Sequence, residues 1–182
     1  MKVPSGNWIK EVGKRTGVGT NGLCGEYMTS PYEANGVYVL NPGDFLTNPI
    51  NEVKERIVLI VRNNRIIEIQ GGAQAELFKQ MLEETGNFMA FNLAEFAIGL
   101  NPGKPERVHR SVVAEKLVGG IHIAAGTNSL CLSEYCPELE KFQHGRYTCG
   151  VHVDCIKFNS SVFFQADGQD EWITLLVKGE MI

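Results

Sequence analysis

Apolar positions along this chain fall in many short runs, not in long helical stripes. Residues 36–41 (GVYVLN) alternate and predict a strand. Residues 56–70 (RIVLIVRNNRIIEIQ) predict a hairpin: two β-rich arms flank Asn63-Asn64, which tolerate the positive φ of a tight turn. The period then changes. Across 71–86 (GGAQAELFKQMLEETG), Leu77, Met81 and Leu82 share one helical face, while Glu76, Lys79, Gln80 and Glu83 lie largely away from it. Gly86 is placed to stop this helix. Further strands are expected at 92–100, 119–126, 149–156, 160–165 and 171–177. A short helix is expected at 111–118, with Ser111 as N-cap. A long connection, 127–148, separates two of these strands, and long loops in compact domains usually serve function. The pattern predicts an α+β fold, mostly antiparallel or mixed sheet with one or two helices, as one domain over residues 1–182.

Three of these strands interrupt an apolar run with a residue that binds metals. NLAEFAIGL (92–100) contains Glu95, GGIHIAAG (119–126) contains His122, and CGVHVDCI (149–156) contains His152 and Asp154. In an extended chain, residues i and i+2 point to the same side about 6.5–7 Å apart. His152 and Asp154 therefore leave one face together, with Val151, Val153 and Cys155 on the other. Each has an ordinary explanation: a salt bridge for Glu95, a hydrogen-bonded core imidazole for His122, a surface pair for His152 and Asp154. An unpaired buried carboxylate is costly, however, and three strands broken in this way point to a shared site. Glu26, among the glycines and small residues of GLCGEYMTSP, is a fifth candidate. Two imidazoles and three carboxylates exceed the three ligands of an open single-metal site and suit a two-metal site. A buried Glu95 without compensation predicts that Glu95→Gln stabilises the metal-free protein.

Composition narrows the setting. The chain of 182 residues is 43% hydrophobic and 21% charged, with a net charge of −4, so it has no electrostatic footprint for nucleic acid or an anionic membrane. No run approaches the ~20 apolar residues that span a bilayer, and the start MKVPSGNWIK is unlike a signal peptide. The expected compartment is the cytoplasm. The five cysteines (24, 131, 136, 149 and 155) form no C-x-x-C and are expected as reduced thiols; a zinc site from Cys131, Cys136, Cys149 and His152 has unfavourable spacing.

In order and wording, these motifs resemble the metal-binding C-terminal half of the metallo-aminopeptidases of the aminopeptidase T and aminopeptidase S type. GEYMTSP (25–31), NLAEFAIGLNP (92–102), LVGGIHIAAGTN (117–128) and GVHVDCI (150–156) are each similar to a ligand-bearing segment of that family. The resemblance implies a fold like that family's C-terminal domain and a cytoplasmic hydrolase cleaving small peptides or amides with two divalent ions, Zn, Co or Mn. Glu26 would bridge the metals, His122, His152 and Asp154 would hold them, and Glu95 would be ligand or general base. The family's catalytic tyrosine has no counterpart near Ser129, so Tyr147 or Tyr135 would take that role from the long loop. The family's additional N-terminal domain is also missing, which predicts a homodimer or a complex with a separately encoded partner. A cousin group, the dihydroxypyridine ring-cleaving dioxygenases, holds a single Fe(II), which here implies His122, His152 and Asp154. A non-catalytic metal-binding subunit is the third possibility.

Overall fold

The computed structural model describes residues 25–31, 33–48, 50–103, 111–130, 140, 142–165 and 168–182. Cys24, Cys131, Tyr135, Cys136 and the side chain of Ser111 lie outside what is described. Numbered in chain order, strands β1 (Glu26–Thr29), β7 (Leu93–Gly99), β8 (Ile121–Gly126), β9 (His152–Lys157), β3 (Phe45–Leu46) and β4 (Asn51–Glu52) lie side by side in one six-stranded sheet. Strands β2 (Gly36–Leu40), β5 (Ile57–Arg62) and β6 (Arg65–Gln70) form a second sheet. Strands β10 (Val162–Gln165), β11 (Trp172–Val177) and β12 (Glu180–Met181) form a third. Neighbours are antiparallel throughout. With helix α1 (Ala73–Glu84) and the single turn α2 (Ser111–Ala114), the fold is α+β, as the apolar pattern predicts.

Local chemistry accounts for most of these elements. Asn63 and Asn64 both take positive φ, 48° and 60°, and close the β5–β6 hairpin at the expected place. Gly86, at φ 61°, follows the end of α1. The buried stripe of α1 differs from expectation: Ala75, Phe78 and Leu82 are buried, whereas Leu77 is 45% exposed. Phe78 and Leu82 lie one turn apart with Ala75 three residues before, so the larger aromatic sets the helix's rotation and Leu77 turns outward. The helix expected over 111–118 shrinks to 111–114 and is followed by turns. Strands β3, β4 and β12, two residues each, are too short to leave a pattern. No helix of the described residues is long and apolar enough to cross a membrane.

The main core lies between the first two sheets. Leu40, Ile57, Leu59, Val61 and Ile66 come from one side, Leu93, Ile123, Ala125, Val153 and Cys155 from the other, with Phe78 and Leu82 of α1 joining them. Tyr38 ties the sheets together, its hydroxyl donating to the Cys155 carbonyl at 2.9 Å. Strand alternation then sends His122, Ala124, His152 and Asp154 out of the opposite face. A smaller cluster of Phe45, Ala114 and Ile156, with Phe158 packed against it, includes residues of α2 and of β9. Phe163, Trp172 and Ile173 of the third sheet are exposed.

Candidate metal centre

Register alone gathers the five candidate residues. Glu26 pairs with Gly99, His122 with Ala97, and both Glu95 and Asp154 with Ala124, while His152 pairs with Gly126. Directly paired residues share a face, and residues two apart share it too. Glu26, Glu95, His122, His152 and Asp154 therefore all leave the same side of β1, β7, β8 and β9. Each stands opposite an alanine or glycine, so the floor beneath the large side chains is made of small ones. A slipped register between Leu93 and Glu95 pairs Leu93 with Ala125 of the core instead of with this row.

The side chains converge. His122 Nε2 lies 3.2 Å from Glu95 Oε1, 3.6 Å from Glu26 Oε2 and 3.9 Å from Asp154 Oδ1. His152 Nε2 lies 3.1 Å from Glu95 Oε2 and 3.2 Å from Asp154 Oδ1. Among the described residues, ligand-type atoms within 4.8 Å of one another form two groups. One is Glu26, Glu95 and His122; the other is Glu95, His152 and Asp154. Glu95 belongs to both, offering one oxygen to each imidazole. The side chain of His122 is 1% exposed and that of His152 16%, so the cluster opens toward solvent on the His152 side.

Residues absent from the sequence reading hold these groups in place. Lys116, which follows α2, pairs with Glu26 Oε1 and lies 2.8 Å from Glu115 Oε1. The close approach of its segment depends on Gly99: a Cβ there would stand 2.1 Å from the Leu117 carbonyl oxygen. Asn101 secures the same segment, its N–H donating to the Lys116 carbonyl at 2.8 Å and its carbonyl accepting from Val118 N–H at 2.8 Å. On the other side, Thr47 donates to Asp154 Oδ2 at 3.2 Å, and its hydroxyl oxygen accepts from the Asp154 N–H at 2.6 Å. His152 Nδ1 donates to the Thr127 carbonyl at 2.8 Å, which directs Nε2 into the cluster.

Electrostatics follow from burial and these pairs. Burial pushes the Glu95 carboxyl upward, but hydrogen bonds to His122 and His152 overcome it and hold Glu95 well below the ordinary carboxylate range. Burial disfavours a charged His152, yet Asp154 and Glu95 raise it to about 11; His122 also rises, with Glu95 outweighing its burial. Glu26 is raised by burial against the pull of Lys116. Glu115 is pushed up to about 7 by burial and the Asp154 charge, with Lys116 opposing. The Glu95 carboxylate is thus compensated by two imidazoles, contrary to the expectation of an uncompensated one. The predicted effect of Glu95→Gln on the metal-free protein reverses in sign.

Tyr147 belongs to the segment that precedes β9. It lines a small cleft with Ser30, Asn64, Asn92, Asn128 and His144, near the end of β8. Its N–H donates to Asn128 Oδ1 at 2.7 Å, and its carbonyl accepts from Ser129 N–H at 3.1 Å. Cys149 and Cys155 are free and buried, and both belong to the main core, away from the face that carries His152.

The donor set suits a divalent cation: two imidazoles and three carboxylates, hard and borderline ligands, converge while largely buried. Glu26 Oε2, buried without a hydrogen-bond partner and aimed at the cluster, is what a cation-binding site leaves over. A family model described as 2,5-dihydroxypyridine 5,6-dioxygenase (NicX) matches residues 10–108, a stretch that includes Glu26 and Glu95. The solved structure of 2,5-dihydroxypyridine dioxygenase from Pseudomonas putida KT2440 is similar at 19% identity with a TM-score of 0.59, over 85% of this chain and 42% of that one. Wild-type AmpT from Thermus thermophilus is similar at 18% identity with a TM-score of 0.63, over 86% of this chain and 39% of that one. At these identities the likenesses show the fold, and the chain spans about two fifths of either structure. No curated protein matches the chain. The expected likeness to aminopeptidase T holds for the fold, while the family match falls on its dioxygenase cousins.

Proposed function

The chain belongs to the 2,5-dihydroxypyridine 5,6-dioxygenase family, and from that premise we propose that it is a metal-dependent oxygenase opening a hydroxylated nitrogen heteroaromatic ring. The observation that carries this reading is the donor set on β7, β8 and β9: His122, His152 and Asp154 supply two imidazoles and a carboxylate, joined by Glu95. A ferrous ion held by these side chains would supply the one-electron chemistry that couples dioxygen to an aromatic ring. The chain's own part is to present and tune the ligands. Thr127 orients His152, Thr47 orients Asp154, and the alanine and glycine floor leaves room above the sheet. Tyr147 and His144 in the neighbouring cleft would meet the more distant part of a substrate.

A second reading rests on Glu95 belonging to both ligand groups. That is the place of a bridging carboxylate in a two-metal hydrolase, with Zn, Co or Mn and an amide substrate. One assay separates the two. The protein is loaded anaerobically with Fe(II), mixed with 2,5-dihydroxypyridine and aerated, and dioxygen uptake and loss of ring absorbance are followed. The expected result is uptake of one dioxygen per ring lost. Cleavage of amino-acid arylamides by the Zn, Co or Mn form, without such uptake, would replace this reading with the hydrolase. Neither activity would leave the non-catalytic subunit.

Metal binding should depend on pH in a definite direction. In the metal-free protein His152 is raised to about 11, so it is protonated at neutral pH, and a metal must displace that proton. Its contribution to metal-free stability is fully present below the unfolded value near 6.5 and is lost as pH rises toward 11. Raising the pH therefore weakens the metal-free form and favours metal uptake. The gap in melting temperature between loaded and metal-free protein should widen from pH 6 to pH 8. A gap that narrows over this interval would refute the assignment of His152 as ligand.

A further inference from the structure

Three asparagines that line the small cleft beside Tyr147 are buried: Asn128 is 3% exposed, Asn92 5% and Asn64 8%. Buried amides normally find a partner at each end. Asn128 does: its Nδ2 donates to the Gly145 carbonyl at 2.8 Å, and its Oδ1 accepts from Tyr147 N–H at 2.7 Å. Asn64 and Asn92 do not. Asn64 Nδ2 donates to the Pro31 carbonyl at 2.9 Å, which fixes the orientation of this amide, and Asn64 Oδ1 is left buried with no hydrogen-bond partner. Arg65 Nη1 donates to Asn92 Oδ1 at 3.4 Å, so Asn92 Nδ2 is turned the other way. There it meets only the Met89 sulfur at 3.9 Å, a weak acceptor. The two residues are held side by side, because Leu93 N–H donates to the Asn64 carbonyl at 2.6 Å. The mouth of the cleft is aromatic. Tyr147 and the exposed His144 line it, and the His144 ring stands edge-on to Phe88, with centroids 6.4 Å apart.

We propose that this cleft is a binding site for a primary carboxamide carried on a planar ring, its N–H donating to Asn64 Oδ1 and its carbonyl accepting from Asn92 Nδ2. A primary carboxamide displays a donor and an acceptor on one edge, which complements one unused acceptor beside one weakly used donor. Among the described residues no carboxylate, lysine or arginine lines the cleft, so a charged head group would lose its hydration without meeting a counter-charge. The cleft is small, so the head group enters and the ring stays at the mouth against Tyr147 and His144. A ring lactam would have to bring the ring itself inside. The site deepens the place given to this cleft in the proposed function and rests on that reading for its role. The binding itself needs no metal, so it stands or fails apart from the oxygenase reading.

Titration of the metal-free full chain with benzamide, followed by the NMR signals of the asparagine side-chain amides, tests this. Benzamide should shift the Asn64 and Asn92 Nδ2 signals along one saturating curve. Benzoate and N,N-dimethylbenzamide, which lack the neutral N–H, should bind at least tenfold more weakly; this comparison uses the wild type and needs no variant. Asn64→Gly, which keeps the positive φ of this position, and Asn92→Ala should each weaken benzamide by roughly tenfold, the expected cost of one hydrogen bond left unmade in a buried site. Equal binding of benzamide and its dimethyl analogue would overturn the proposal. So would benzamide shifts that spare Asn64 and Asn92, or unchanged affinity in both variants with wild-type circular dichroism. Dioxygen uptake with 2,5-dihydroxypyridine in a protein that ignores benzamide would overturn the carboxamide site and leave the oxygenase reading standing.

Discussion

His152→Ala is expected to abolish metal loading while the chain still folds. The imidazole is one of the three groups in the better supported half of the cluster, and its Nδ1–H···O=C bond to Thr127 leaves Nε2 committed to the site. Loss of a supporting partner in metal sites costs roughly 10–100-fold in affinity, and loss of a direct ligand costs more. Thr47→Val, which removes the hydroxyl donated to Asp154, supplies the smaller effect for comparison within the same protein. Asp154→Ala should match His152→Ala, because the two side chains leave one strand face side by side. Both sit at the more open edge of the cluster, and the main core lies on the other face of β9, so truncation leaves that core untouched. Titration calorimetry with Mn²⁺, together with circular dichroism of each variant, checks both parts. Full stoichiometry retained in the His152→Ala, Asp154→Ala double variant would reduce the pair to a surface contact.

What could be read from the sequence divides along a physical line. His152 and Asp154, Glu95 and His122 announce themselves because each breaks the apolar pattern of its own strand, and strand alternation is a local rule. Their convergence is also legible, since three neighbouring strands leave few ways to place polar groups that a core rejects. Asn63-Asn64 and Gly86 are legible because positive φ is a property of single residues. Lys116 and Glu115 are invisible by the same logic. As two adjacent charges in a short expected helix they look solvated, and only the close approach permitted by Gly99 brings them to Glu26. Thr47 is similar, a turn residue whose partner lies 107 positions away. The rotation of α1 differs from expectation at Leu77 because a helix with several apolar candidates presents more than one possible stripe. Packing against the sheet favours the one containing Phe78. The least local property of all is the charge balance of the assembled cluster.

That balance has its plainest consequence at Glu95→Gln, expected to destabilise the metal-free protein by about 3 kcal/mol, near the lower end of what removing one partner of a buried ion pair costs. The side chain is 5% exposed and its carboxylate lies between two imidazoles, 3.2 Å from His122 and 3.1 Å from His152. An amide preserves the shape but offers neither charge, and it leaves two protonated or partly protonated rings facing each other across a neutral group. For a chain of this size, 3 kcal/mol corresponds to roughly 6–12 °C in melting temperature. The pH dependence separates this cause from a packing defect. Glu95 is held below its ordinary value of 4.5, so its contribution is present above that pH and is lost as pH falls further. The rings contribute only while protonated, so the advantage also fades as pH climbs toward the His152 value of about 11. Wild type should therefore exceed the Gln variant most between about pH 5 and 7, with the two curves approaching each other on both sides. A metal-free Gln variant that melts at or above the wild type in that interval would mean that Glu95 is an uncompensated charge, for which only a metal ion could then account.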